Sequence, residues 1–231
     1  MQTTPRFLKI LDIFSIILFA VAVVLVFFYA ELEAIMGQVQ RVFYFHVATA
    51  WVGMLGFLVA AIAGVVYLLK HERKWDVVGF AAVEISLVFF FITIVSGSIW
   101  ARPAWGTWWT WDPRLTTATI VELVYAAYLL LRQGIEDPDR RARFGAVYAI
   151  LGFISVPLTF LSIRLYDRTI HPVVIGNGGG EGDFDMTTRM MQTFMFSLFT
   201  FSVLFATLLW HRIRLGNLAE MVESLRLKIT Q

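Results

Sequence analysis

The sequence predicts an all-α integral membrane protein with six transmembrane helices, both termini cytoplasmic and a tryptophan-rich loop outside. Three observations carry this. Hydrophobic residues make up 58% of the chain and charged residues only 16%, against about 25% charged in soluble domains, and the mean hydropathy is +0.72. The apolar residues gather in six runs close to the roughly 20 residues that span a bilayer's hydrocarbon. The cations are unevenly placed: the N-terminal tail, second and fourth loops and C-terminal tail hold thirteen lysines and arginines, and the other three loops hold six. By the positive-inside rule the tails are cytoplasmic and the first, third and fifth loops face outward. The chain contains no cysteine, which excludes disulfides, thiolate metal sites and CxxC redox chemistry. The net charge of +2 arises from basic flanks that orient a membrane protein and do not indicate nucleic acid as a partner.

Read in order, residues 1–231 form one membrane domain. Residues 13–30 are the first span. The run is long for a signal peptide and has no small-x-small pattern before Glu31, so it is read as retained. In the connector 31–45, Leu32, Ile35, Met36, Val39 and Phe43 recur at helical spacing, which predicts a helix lying in the interface. Residues 47–69 carry no charge and form the second span. A basic loop with His71 leads to the third span, 77–100, interrupted by Glu84. The fourth span, 115–131, contains Glu122. These two carboxylates sit at different depths and are read either as polar glue between helices or as a proton or ligand path. A charged connector with Pro138 precedes the fifth span, 144–163, which Pro157 should kink.

The polar loop 164–189 holds His171, Pro172 and a glycine run at 176–180. That run lacks the Lys-Ser/Thr of a phosphate loop and reads as linker. The sixth span is 190–210. The tail sets Leu215, Leu218, Val222, Leu225 and Ile229 on one face, which predicts a helix on the membrane surface, ahead of a partner contact.

The candidate site lies between the third and fourth spans. Five of the eight tryptophans, Trp100, Trp105, Trp108, Trp109 and Trp111, fall within twelve residues. Pro103, Gly106 and Pro113 among them predict a shaped loop. Tryptophans also mark membrane interfaces, but such belts are scattered over all helix ends. Large flat rings beside arginines suit a flat, apolar, anionic ligand, and heme is one. Two histidines, His46 and His171, fall in the outer loops that bracket the tryptophans. With no cysteine available they are the natural axial pair for a heme iron. Arg102 and Arg114 flank the rings and are the first candidates for the propionates, with Arg164 and Arg168 behind them. Asp112 before Pro113 reads as a turn former that caps backbone or orients Arg114. No second carboxylate, nucleophile or metal cluster accompanies it, so an enzymatic role is not expected. His71 and His211 lie in the cytoplasmic flanks.

Residues 105–116, Trp-Gly-Thr-Trp-Trp-Thr-Trp-Asp-Pro-Arg-Leu-Thr, resemble the "WWD" signature of heme-handling proteins. Pro113 stands where a small residue such as alanine is expected, and the motif is otherwise intact. The chain's size, six spans and two external histidines resemble the cytochrome c maturation protein C family, also called heme exporter protein C. The segment from Arg41 to Trp51 is similar to that family's first-histidine segment, and His171 matches the second by position. The resemblance covers most of the chain. It implies a System I role in the bacterial cytoplasmic membrane. Non-covalent heme b in transit would be held through His46, His171, Trp105, Gly106, Trp108, Trp109, Trp111, Asp112, Arg114 and Arg102. It would be passed to a periplasmic heme chaperone, with an ABC-type ATPase–permease pair and a small one-span subunit as further partners. A shallow external platform with ligands on loops suits a site that must also release. The System II synthetases share the motif but are larger, with histidines inside the membrane. The alternatives are a membrane cytochrome b, which would place paired histidines within the spans, and a heme-translocating permease, which would show discontinuous helices or a polar lining.

Overall fold

The computed structural model describes residues 4–33, 36–165, 170–171 and 186–229, the side chains of 163–165 and 227 excepted. Arg164, Arg168, Pro172 and the glycine run therefore lie outside what is described of side chains or of backbone. Regular structure among these residues is helical apart from one isolated bridge, Glu33 to Gly37. The helices are α1 (Arg6–Val24) with a π-helical turn (Leu25–Tyr29), α2 (Gln40–Lys70), α3 (Arg73–Trp105), α4 (Pro113–Gln133), α5 (Pro138–Phe153), α6 (Ser155–Leu165) and α7 (Thr188–Ile229). Taking α5 and α6 together, six helical stretches are long and apolar enough to cross a membrane. The protein is an all-α, six-span membrane protein.

Local chemistry fixes the boundaries. Pro113 and Pro138 stand at the first helical position of α4 and α5, where a missing N–H costs nothing. Asp112 and Asp137 cap these helices by accepting from the amides of Arg114 and Arg140. The α5–α6 break at Ile154 follows from Pro157, which has no N–H for the Phe153 carbonyl. That is the kink expected in the fifth span.

Two expectations change. The connector 31–45 is not an interface helix. Glu33 accepts from the Met36 amide, Gly37 turns the chain with φ +55°, and α2 has already begun at Gln40. The tail is not a separate surface helix either. It continues α7 without a break for 42 residues, about 63 Å at 1.5 Å per residue, twice what the hydrocarbon requires. Leu215, Val222, Leu225 and Ile229 remain exposed on it.

The α2–α3 pair is the centre of the bundle. Helices α5 and α7 pack on α2, α4 packs on α3, α5 and α6, and α1 lies against α7. Small residues (Ala48, Ala60, Ala63, Ala81 and Ala82) are buried where the backbones approach, the usual device for close helix contact in lipid. The largest core cluster centres on Phe57 stacked on Tyr125, with centroids 3.7 Å apart, and Phe90 edge-on to Phe57.

Polar ties hold the end of the bundle remote from the tryptophans. Arg132 of α4 grips Asp76 of α3 through two hydrogen bonds of 2.5 and 2.9 Å, and both residues are buried. Glu84 pairs with Arg212 of α7 at 2.5 Å, so this carboxylate acts as glue between helices. His211 meets Asp12 at 2.7 Å, and His71 ends α2 in the left-handed conformation.

Candidate functional site

The tryptophan segment is more helical than its prolines suggest. Helix α3 runs through Pro103 to Trp105 and tolerates the missing N–H because Pro103 falls in the last turn. Gly106 then takes φ +75°, the left-handed C-terminal cap that a side chain disfavours. Arg102 donates to the Gly106 carbonyl, which seals the helix end. Only residues 106–112 form the loop, and Asp112 closes it by capping α4.

This arrangement walls a cavity of about 650 Å³, mouth included, between α2, α3 and α4. His46, Trp100, Trp105, Trp109, Arg114 and His171 all line it. The cavity also descends past Met54, Phe90 and Ala118. Met54 lies two turns below His46 on α2, about 12 Å at 1.5 Å per residue. The cavity thus extends from the tryptophan loop down between the helices, and its lining is mostly apolar.

His46 is held from behind. Its Nδ1 lies 3.0 Å from the Thr93 carbonyl and 3.2 Å from Ser96 Oγ. A carbonyl only accepts, so Nδ1 carries the proton and Nε2 keeps its lone pair. Metal-binding histidines are oriented in this way. Gly97 makes the approach possible: a Cβ there would stand 2.8 Å from His46 Cε1. His171 reaches the cavity from the connector before α7, with its ring edge-on to Trp105 at 6.2 Å. Trp105 meets Trp100 edge-on at 5.2 Å.

Arg114 lines the cavity with its guanidinium over Phe160, 5.5 Å from the centroid. No ion pair reaches it among the described residues. The nearby Asp112 is buried and occupied: one oxygen accepts from the Arg114 amide at 2.9 Å, the other from the Ile170 amide at 3.0 Å. The indole N–H groups of Trp100 and Trp109 and the Thr110 hydroxyl are buried without a partner among the described residues. Buried donors normally find one.

Of the residues expected from the sequence, His46, His171, Trp105, Trp109 and Arg114 are brought together. Gly106, Asp112 and Arg102 build the frame without lining the cavity. Trp108 and Trp111 point outward, 58% and 73% exposed. Trp100 belongs to the wall although the motif residues begin at Trp105, and Thr93, Ser96 and Gly97 support His46. The run Ser96-Gly97-Ser98 inside an apolar span was the available signal, since glycine in a membrane helix marks close approach.

A match to the family described as heme exporter protein C extends over residues 1–228. Heme exporter protein C of Bradyrhizobium diazoefficiens is 31% identical over 191 residues, covering 83% of this chain and 72% of that protein. Heme exporter protein C of Escherichia coli K12 is 28% identical over 225 residues, 97% of this chain and 89% of that one. A putative cytochrome c biosynthesis ccmC-like mitochondrial protein of Marchantia polymorpha is 27% identical over 200 residues, 87% and 85% of the two chains. With six spans and bacterial relatives that match along nearly its whole length, the chain is a multi-pass protein of the bacterial inner membrane and belongs to the heme exporter protein C family.

Proposed function

We propose that the protein handles heme for cytochrome c maturation by binding it in the slot between α2, α3 and α4. The observation that supports this most is convergence. Two histidines from distant parts of the chain, three indole rings and an arginine without an ion pair among the described residues line a single cavity. The residues fit the ligand. His46 Nε2 and His171 suit the two axial positions of an iron. Trp100, Trp105 and Trp109 present rings and edges to a flat macrocycle. Arg114 matches a propionate in charge and geometry, and the unpartnered indole N–H groups are further donors for it.

The two ligands differ in mounting, and this suits a protein that must let its cargo go. His46 is on a helix and tied to α3. His171 stands on a connector, so withdrawing it would leave one axial bond. In this reading the tryptophan end of the bundle faces the periplasm and both termini face the cytoplasm, as the cations dictate. Heme b passes to a periplasmic heme chaperone. An ABC-type ATPase–permease pair, a small one-span subunit and the lipid bilayer are the expected partners.

The test is spectroscopic. Purified protein should carry non-covalent heme with a six-coordinate absorption spectrum. Replacing His46→Ala and His171→Ala together should remove it, whereas His71→Ala and His211→Ala should not. An unchanged spectrum in the double variant would falsify the assignment. Reporter fusions within the 164–189 connector should read as external, and a cytoplasmic signal there defeats the delivery reading.

A further inference from the structure

Asp112 has an occupation that neither its motif nor its cap explains. A helix N-cap needs one side-chain oxygen. Asp112 uses Oδ1 for that purpose, on the Arg114 amide at 2.9 Å. Its Oδ2 reaches 58 residues along the chain and accepts from the Ile170 amide at 3.0 Å. The carboxylate is buried, 8% exposed, so both bonds are made away from bulk water, where charge-assisted hydrogen bonds are strongest. Ile170 is the residue before His171. His171 in turn precedes Pro172, which narrows its backbone freedom, and its ring meets Trp105. One end of this segment is therefore pinned by Asp112 and the side chain by a wall tryptophan.

We propose that Asp112 is the positioning residue for His171: its second oxygen clamps the Ile170 amide and so stands the adjacent histidine on the cavity wall. The inference rests on the reading of His171 as an iron ligand. It adds that the loop carrying the tryptophans also sets where that ligand sits. The loop and the second histidine are then coupled through this carboxylate and through the contact of His171 with Trp105. His46 has no such dependence, because its anchor is the Thr93 carbonyl on α3.

Two substitutions separate the clamp from the cap. Asp112→Ser keeps a good N-cap with one oxygen and leaves Ile170 without an acceptor. Asp112→Asn keeps the cap oxygen and turns an amide donor toward the Ile170 amide. The chain has no cysteine, so Trp105→Cys with His171→Cys supplies a clean pair for a short bis-maleimide. That pair lacks a ligand and a wall ring and reports on the protein alone. Adding Asp112→Ser to it should slow cross-linking about tenfold, the scale expected for losing a hydrogen bond to a charged group.

With the native histidines, Asp112→Ser and Asp112→Asn should hold heme with a spectrum changed from six-coordinate. Added imidazole should restore it, as it should for His171→Gly. A purely structural role for Asp112 would not produce imidazole rescue. Unchanged cross-linking in the Asp112→Ser background overturns the clamp, whatever the heme spectrum. If His171→Ala leaves the spectrum intact, the ligand assignment has failed instead, and the cross-linking rate still decides whether Asp112 positions the segment.

Discussion

Two arginines stand at opposite ends of α4 and have opposite surroundings. Arg132 is 7% exposed and gripped by both oxygens of Asp76, with Tyr128 within 3.5 Å and the Phe80 face 4.7 Å away. Close by, Arg212 is matched with Glu84 and Arg73 with Glu220. Arg114, at the tryptophan end, faces a cavity with no ion pair among the described residues, because the nearest carboxylate is already engaged with two backbone amides. Both ends carry charged side chains and both enclose space: the far cavity, lined by Asp76, Glu84, Arg132, Arg212 and Glu220, is about 920 Å³ with its mouth. Cavity size therefore does not mark the site. What sets the tryptophan end apart is the kind of lining: two histidines and three indoles beside a guanidinium, where the far cavity presents carboxylates matched with arginines.

If the far end is structural, breaking it should cost stability and spare binding. Asp76→Ala strands a buried guanidinium, which costs about 3–5 kcal/mol. The expected outcome is a sharp fall in protein level and in melting temperature in detergent. The surviving protein should keep its heme-to-protein ratio. Replacing the pair together, Asp76→Leu with Arg132→Met, should recover much of the loss, since removing both partners leaves no orphan charge. A selective loss of heme in these variants, with stability intact, would make the far cavity part of the site.

The wall tryptophans should behave in the reverse way. Each aromatic contact contributes of order 0.5–1.5 kcal/mol beyond burial. Changing Trp100, Trp105 and Trp109 together to alanine should therefore weaken heme retention by roughly 100-fold, about 2.7 kcal/mol, at matched protein levels. Arg114→Ala should cost less, about 2 kcal/mol as a lost charged hydrogen bond, and Arg114→Lys should recover only part of it because the fork geometry is gone. Heme content per protein, measured after competition with a heme-binding apoprotein, reads all three. Equal retention in Arg114→Ala and the parent would mean that no propionate meets this guanidinium.

The fold was legible because span length, cation bias and helix punctuation act locally. Pro113 and Pro138 open helices, Pro157 breaks one and Gly106 ends one, each for a reason contained within a few residues. The site was legible in kind and only partly in membership. Chain order places Trp105, Trp108, Trp109 and Trp111 in one loop, but which rings face inward depends on where α3 ends and α4 begins. The proline at 103 suggested an earlier end than the true one at Trp105. Asp112 was visible as a cap, whereas its bond to Ile170 crosses 58 residues and has no local signature. Glu84 could be assigned as glue only once Arg212 stood beside it. The long tail misled for the converse reason: its apolar face is plain in the sequence, yet its continuity with the sixth span depends on there being no breaker between Trp210 and Leu215, and Gly216 alone does not stop a helix.

The smallest expected effect is also the one that tests how the tryptophans divide. Trp108 and Trp111 are 58% and 73% exposed and do not line the cavity. Trp111 meets the wall through its edge-on contact with Trp109, 5.8 Å between centroids. Exposed rings at a helix end are where the interface-belt account holds. Trp108→Ala with Trp111→Ala should therefore leave heme retention within about 0.5 kcal/mol of the parent, the scale of ordinary surface changes. The same pair should reduce tryptophan emission quenched by brominated lipids, which reports rings at headgroup depth. The comparison is with Trp100→Ala and Trp109→Ala, which should lose heme and leave lipid quenching nearly unchanged. If the outward pair loses as much heme as the inward pair, the ligand reaches over the rim, and the boundary drawn between wall and belt is in the wrong place.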